Sequence, residues 1–408
     1  MKAYIKGFIL RYLPLYIITG VVAFTSFLTI VLDNYGSYSV YCNTDAGYKA
    51  CYPLVSSSSL YLLLAFIPLF IVTTIAPLFV NTYRYHIKSV DTYYQVKDGE
   101  KKIRYINNLV TIIMIISIYT AVFLTFLLLL FIKQSSMNGR EVVNGYTTTY
   151  YYMYNYGYYF LAYLIIAVTC FINYFISYYF VSRSNNLVNS MLVLATGHIS
   201  LAMVFVTLIY YPYIYALKYG ASGYLSPWVI GVHSASPVSI YIAIIHIFMP
   251  LIDPHYGGSY ISNGDFSGAY QIAMLAISIS SFIFIAVYSI VKFIKEDTLS
   301  GEYAGKPYGR SKMQNIIFHI AFGSVGIWIG GMISLIRAFS SAASFISTFM
   351  VMVSFLATYY VLFSLLNRNF KITKQSFLEM LPVLSIVFTS ILIAIMMLVT
   401  PVAYPINY

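Results

Sequence analysis

The sequence predicts an all-α membrane protein: a polytopic helical bundle of about nine transmembrane helices, with a short re-entrant segment on the outer side. Hydrophobic residues make up 60% of the 408 residues and charged residues only 9%, a balance that suits lipid better than water. Apolar runs near the ~20 residues that cross a bilayer cover 13–32, 58–82, 106–132, 157–181, 190–215, 269–293, 314–337, 343–366 and 377–401.

A tenth apolar run, residues 238–252, is shorter than a spanning helix. Pro237, Pro250 and Pro254 bracket it. This run therefore predicts a re-entrant or interfacial segment.

The lysines and arginines predict the orientation. With nine spans, eighteen of the 23 fall on one side of the membrane, which the positive-inside rule assigns to the cytoplasm. We expect a multi-pass protein of the cell membrane with its N-terminus cytoplasmic and its C-terminus outside. If 238–252 crossed the bilayer, the charged loops 84–104 and 292–312 would lie on opposite faces.

The net charge of +11 follows from this topology, so nucleic acid is not an expected partner and the lipid bilayer is. The longest polar segments are too short to form a soluble domain. We therefore expect a single membrane domain, residues 1–408.

The chain has three cysteines, and two of them share the predicted outer loop 33–57. An oxidising environment there would permit a Cys42–Cys51 bridge, and two free thiols are the alternative. Closing such a short loop would add at most about 2–3 kcal/mol to the free energy of unfolding. Cys170 lies within a span and is expected only to pack.

The chain carries no recognisable ATP site. Its nearest approach to a P-loop, Gly301 to Pro307, has three residues between the glycines instead of four, and a proline where the Mg²⁺-binding hydroxyl is required. We expect no cofactor in this chain.

Catalytic and metal sites are not visible either, so we predict that the chain is not an enzyme. All twelve acids fall in loops or at interfaces, and Ser376 with Glu379 predicts a capping box that begins the last helix. His198, His246 and His319 have no partner at metal-ligand spacing, and we expect no metal site.

The inner loop 83–105 has the pattern of a short amphipathic helix. Ser89 is a good N-cap, Val90, Tyr93 and Tyr94 recur at helical spacing, and Gly99 suits the C-terminal position. Such a helix could lie on lipid headgroups or dock in the groove of a cytoplasmic partner.

The outer segment 146–159 is rich in tyrosine. An aromatic belt at the membrane interface is the favoured interpretation, and a surface that meets a substrate is the alternative.

Two inner loops resemble a known family. The run Arg84-Tyr-His-Ile-Lys-Ser-Val-Asp-Thr-Tyr-Tyr-Gln95 resembles the K-S-V-D-x-Y/F-x-S/Q signature that follows the second span in type-2 ABC transporter permeases of Gram-positive bacteria. The run Ser300-Gly-Glu-Tyr-Ala-Gly-Lys306 resembles the E-x-x-G element of a later inner loop in those permeases. One departure is Val96 to Lys102, where such permeases commonly carry a Leu-Pro-basic segment.

The resemblance implies a permease subunit of an exporter. Its partners would be a cytoplasmic ATP-binding subunit, which holds ATP and Mg²⁺, and a second permease. The resemblance implies that residues 89–98 form a coupling helix. Val90, Tyr93 and Tyr94 of this helix would fill the groove of the partner, and Lys88 and Asp91 would lie at its rim. The second inner loop would contribute Glu302, Gly305 and Lys306.

Two other functions stay open at this stage. The chain could be a membrane sensor or immunity protein that binds a peptide or lipid at its aromatic outer loops and transports nothing. It could also be a membrane enzyme acting on lipids, although no acid/base cluster is visible.

Overall fold

A computed structural model of the chain describes residues 2–32, 37–43, 50–55, 59–82, 99–137, 139–143, 146–154, 156–182, 184, 186–218, 236, 240, 266–295, 312–337, 343–367 and 370–399. Helices dominate these ranges. They are α1 (Lys2–Arg11), α2 (Leu13–Leu32), α3 (Ser59–Val80), α4 (Gly99–Met137), α5 (Tyr156–Val181), α6 (Leu187–Lys218), α7 (Phe266–Lys295), α8 (Lys312–Arg337), α9 (Ala343–Asn367) and α10 (Lys374–Val399).

Each of the nine predicted apolar runs overlaps one of the described helices α2 to α10. By length and composition, three stretches of the described residues could cross a membrane: Lys101–Lys133, Tyr159–Val181 and Ala276–Lys295. The pair Tyr4–Arg11 and Leu13–Leu28, bent by 55°, would be a fourth if it forms one span. The helical membrane class is therefore supported, and the count of nine spans stays a prediction.

The bend between α1 and α2 has a local cause. Pro14 is the second residue of α2 and has no backbone N–H to donate to the preceding turn. Proline is tolerated in the first turn of a helix, where that N–H would have no intrahelical partner. The chain therefore changes direction here and continues as α2.

The described helices bury an apolar core, but they also expose many large apolar side chains and bury several polar ones. Large apolar side chains face outward, with Phe284 71% and Phe131 61% exposed. Asn108, Asn173 and Ser177 are completely buried. This distribution suits helices that meet lipid outside and bind one another through small and polar groups.

A four-stranded antiparallel sheet adds to the helical class. Its strands are β1 (Ser37–Asn43), β2 (Ala50–Val55), β3 (Gly139–Val143) and β4 (Tyr146–Tyr154), in the order β2-β1-β4-β3. The first pair lies between α2 and α3 and the second between α4 and α5, so two predicted outer loops form one sheet. The all-α prediction omitted this sheet, and much of the tyrosine-rich segment 146–159 is strand β4.

The described helices and strands belong to two compact units. The first contains α1 to α4, the sheet and α5 as far as Ile176, and the second contains the last turn of α5, α6, α7 from Ala269, and α8 to α10. In the first unit α2 packs on α3 and α4. In the second, α8 packs on α6, α9 and α10.

An aromatic cluster forms the core among α8, α9 and α10. Phe318, Phe355, Tyr359 and Phe363 are buried there together with Val387. A Cβ atom at Gly326 would lie 3.1 Å from both Phe355 Cε1 and Val387 Cγ2, so these three helices approach closely at a residue without a side chain.

The first turn of α10 corrects one sequence prediction. The Ser376 N–H donates to Thr373 Oγ1 over 3.1 Å, and the Thr373 N–H donates to Ser376 Oγ over 2.8 Å. Thr373 is therefore the N-cap of α10, and Ser376 takes the position that Glu or Gln holds in the common capping box. The predicted box of Ser376 with Glu379 was wrong because the helix begins three residues earlier than that pairing requires.

Candidate functional site

All eight residues predicted to bind a partner lie outside the described residues. They belong to the segments 83–98 and 296–311, and they are Lys88, Val90, Asp91, Tyr93, Tyr94, Glu302, Gly305 and Lys306. Of the proposed re-entrant segment 238–252, only Ile240 is described; it is buried, and its N–H donates to the Ser236 carbonyl. The helix ends on both sides of 83–98 are described.

A buried polar cluster lies where α3 ends and α4 begins, next to that segment. We call it the loop-base cluster, and its members are Tyr4, Asn81, Arg104, Asn107, Asn108 and Tyr174. Asn81, Arg104, Asn107 and Asn108 are each at most 2% exposed. Polar groups so deeply buried are stable only when they bind one another or the backbone.

Two asparagines form the centre of the loop-base cluster. Asn81 Nδ2 donates to Asn108 Oδ1 over 3.3 Å, and Asn108 Nδ2 donates to Asn81 Oδ1 over 3.4 Å. Each amide also reaches a backbone carbonyl of its own helix: Asn81 Nδ2 donates to Pro77 O and Asn108 Nδ2 to Arg104 O. This reciprocal pair joins the end of α3 to the beginning of α4, on the two sides of residues 83–98.

Two tyrosines connect further helices to the loop-base cluster. The Tyr174 hydroxyl in α5 donates to Asn108 Oδ1 over 2.9 Å. The Tyr4 hydroxyl in α1 donates to Asn107 Oδ1 over 2.8 Å. Four helices thus meet through side-chain amides and hydroxyls at one place.

The beginning of α4 is strongly basic. Lys101 and Lys102 are exposed, and Arg104 is buried. One acidic residue, Glu100, directly precedes them in the sequence. A helix N-terminus carries a partial positive charge, so each cation there lowers the stability of the helix by about 0.3–1 kcal/mol. Anionic headgroups or an acidic partner surface would offset that cost.

A second polar contact joins α3 to α5. Asn173 Nδ2 lies 2.9 Å from both Thr73 Oγ1 and Thr74 Oγ1 and donates to the Phe70 carbonyl. Asn173 Oδ1 is buried and has no hydrogen-bond partner among the described residues. The contact fixes α3 against α5 beyond the loop-base cluster.

Two histidines of the second unit bind hydroxyl groups. His198 Nε2 lies 2.9 Å from Ser177 Oγ, and His319 Nδ1 lies 3.0 Å from the Tyr359 hydroxyl. His246 lies outside the described residues. In the part of the chain that the structure describes, no group of three or more His, Cys, Asp or Glu residues could hold a metal ion.

The cysteines fall into two environments. Cys42 lies in β1 and Cys51 in β2, whereas Cys170 is a free thiol buried in α5. The predicted packing role of Cys170 agrees with its burial.

Sequence reasoning did not identify the loop-base cluster. A signal was present in the consecutive asparagines Asn107 and Asn108, which follow a basic turn and enter an apolar run. Amides in a transmembrane run seek partners on other helices. Which helix supplies the partner is set by packing, and the sequence does not contain that information.

Comparison with known proteins gives no relative. No family model matches the chain, and neither a curated protein nor a solved structure matches it.

Proposed function

We propose that this chain is the membrane-spanning permease subunit of an ATP-driven exporter. A separate cytoplasmic subunit hydrolyses ATP with Mg²⁺, and this chain converts its movement into outward transport or extraction of a peptide, lipid or drug-like substrate. A second permease chain, identical or related, completes the transport path.

The observation that carries the proposal is the loop-base cluster. In a coupled transporter, movement of a cytoplasmic loop must reach the transmembrane helices without being lost in flexible connections. The Asn81–Asn108 pair joins the two helix ends on either side of residues 83–98, and Tyr4 and Tyr174 extend the connection to α1 and α5. A displacement of the loop would therefore act on four helices together.

The basic turn of α4 gives independent support. Lys101 and Lys102 are exposed beside segment 83–98, on the side that the positive-inside rule assigns to the cytoplasm. Two cations at the positive end of a helix destabilise it. An acidic rim of a partner subunit, or anionic headgroups, lying opposite these lysines would offset that free-energy cost.

The docking role can be tested by replacing Tyr93 and Tyr94 together with aspartate. Two added carboxylates would place charge in an apolar groove, and the cost of desolvating them should release the ATPase. We expect the co-purified ATPase to fall at least tenfold in mild detergent while the permease stays inserted at its normal level.

A matched control places the same two substitutions at Tyr404 and Tyr408, in the tail predicted to lie outside. This variant should retain the ATPase. Equal ATPase recovery from the Tyr93/Tyr94 variant and the wild type would contradict the docking role. Absence of any ATPase from the wild type as well would contradict the exporter.

The sidedness of the proposal has its own test. In a background with all three native cysteines replaced by serine, single cysteines are introduced at Ser311 and at Tyr408. With nine spans, an impermeant thiol reagent on intact cells should label the cysteine at 408, while that at 311 reacts only after the membrane is opened. Labelling of the cysteine at 311 on intact cells would overturn the nine-span topology.

A second function remains a candidate because of the sheet. Tyr41 in β1 is paired with Tyr52 in β2 on one side and Tyr150 in β4 on the other, so three tyrosines stand in one row across adjacent strands. Such a row favours a sensor or immunity protein that binds a peptide or lipid outside the cell. That protein would need no ATPase, and the co-purification experiment distinguishes the two functions.

A further inference from the structure

Cys42 and Cys51 occupy opposite positions in neighbouring strands. The antiparallel register of β1 and β2 pairs Tyr41 with Tyr52, Cys42 with Cys51, and Asn43 with Ala50. The two cysteines are thus direct cross-strand partners, and directly paired residues lie on the same face of a sheet.

This register satisfies the backbone requirement of a disulfide. Directly opposed residues of an antiparallel pair have Cα atoms about 4.5 or 5.5 Å apart, depending on the hydrogen-bond pattern. Disulfides join Cα atoms about 4.4–6.8 Å apart, so both patterns are compatible. A slip of one residue would bring Cys42 opposite Ala50 or Tyr52 and place the two cysteines on different faces.

We infer that Cys42 and Cys51 form an intrachain disulfide. Two thiols lose two protons and two electrons as the S–S bond forms. An oxidant outside the cytoplasm that itself carries a disulfide accepts these electrons and protons, and its disulfide becomes a dithiol. The inference shares with the proposed function only the outer location of residues 33–57.

The position of β1 gives the bridge a structural role. β1 pairs with β2 on one side and with β4, from another loop, on the other. A bond that fixes β1 against β2 also fixes the edge on which β4 pairs. The bridge would therefore stabilise a sheet built from two separate loops, and that sheet carries the tyrosine row.

The location of Lys49 makes the test direct. Trypsin cleaves after Lys49, which lies between the two cysteines, so after digestion Cys42 and Cys51 belong to different peptides. Cells are treated with a thiol-alkylating reagent during lysis, the protein is denatured without reductant, and the digest is analysed by mass spectrometry. We expect a linked pair, residues 12–49 with 50–84, that separates on reduction.

Cys170 provides an internal reference in the same digest. A denatured, unreduced chain should contain one alkylated thiol, at Cys170, and a reduced chain three. Replacing Cys42 by serine should leave Cys51 alkylated, and replacing Cys170 by serine should leave the linked pair unchanged. Alkylation of both Cys42 and Cys51 in the wild type, or a bond from either to Cys170, would overturn the inference.

Discussion

Replacing Gly197 by alanine should strongly destabilise the second unit. A Cβ atom at this position would lie 2.6 Å from Phe180 Cδ2 and Cε2 and 2.7 Å from Cζ. Phe180 is buried, and its ring lies edge-on to His198 with centroids 5.7 Å apart. The ring therefore has little space to retreat, and overpacking of this kind costs about 1–3 kcal/mol.

The measurement is the melting temperature of the detergent-solubilised protein. Gly7→Ala is the matched control, because no atom lies within 4 Å of a Cβ atom there and alanine favours a helix. Adding Phe180→Leu to Gly197→Ala should recover part of the loss, since leucine removes the ring that causes the clash. A Gly197→Ala protein that melts with the wild type would show that α5 and α6 separate at little cost.

The sequence predicted the helices well because hydropathy and length determine them. Each of the nine apolar runs became a helix, but several helices extend beyond their runs. α4 begins at Gly99 and not near 106, since Lys101 and Lys102 are good helix formers that lie outside an apolar window. Hydropathy reports where a helix can meet hydrocarbon, and it does not report where the helix begins.

The sheet was missed in part because one of its three pairings, β1 with β4, is non-local, although β1–β2 and β3–β4 are hairpins. β1 and β4 lie about a hundred residues apart, and a loop judged by its hydropathy alone gives no sign of such a partner. Composition did contain a signal: β4 consists almost entirely of tyrosine and threonine, which favour strands. The tyrosines that we assigned to an aromatic belt therefore belong in large part to a strand.

The loop-base cluster was missed for a different reason. Asn81, Asn108 and Tyr174 are separated along the chain and lie within or beside apolar runs. Their meeting depends on how α3, α4 and α5 pack, and the pattern of one helix does not contain that packing. What the sequence could have given is the expectation that each buried amide needs a partner.

Replacing Asn108 by leucine should weaken the connection between α3 and α4. The substitution removes the amide whose oxygen accepts the Tyr174 hydroxyl and which exchanges hydrogen bonds with Asn81. Leucine keeps the same number and branching of heavy side-chain atoms. A buried polar group left without a partner costs about 1–3 kcal/mol, and interhelical hydrogen bonds in membranes average about 0.6 kcal/mol. We expect a lower melting temperature and, on the proposed function, a smaller amount of co-purified ATPase.

A double-mutant cycle separates this connection from general packing. Asn81→Leu alone should also lower the melting temperature, since it leaves Asn108 without its reciprocal partner. When both asparagines become leucine, two apolar side chains face each other and neither amide is left unpaired. The loss in the double variant should therefore be smaller than the two single losses together.

The ATPase measurement then distinguishes stability from coupling. The double variant restores packing but lacks the amide pair. Its melting temperature should therefore return closer to the wild-type value than its amount of bound ATPase does. That difference is expected only if the hydrogen-bonded pair itself positions residues 83–98. Strictly additive losses would show that the asparagines contribute independently to packing, and the loop-base cluster would then lose its role in holding the two helix ends together.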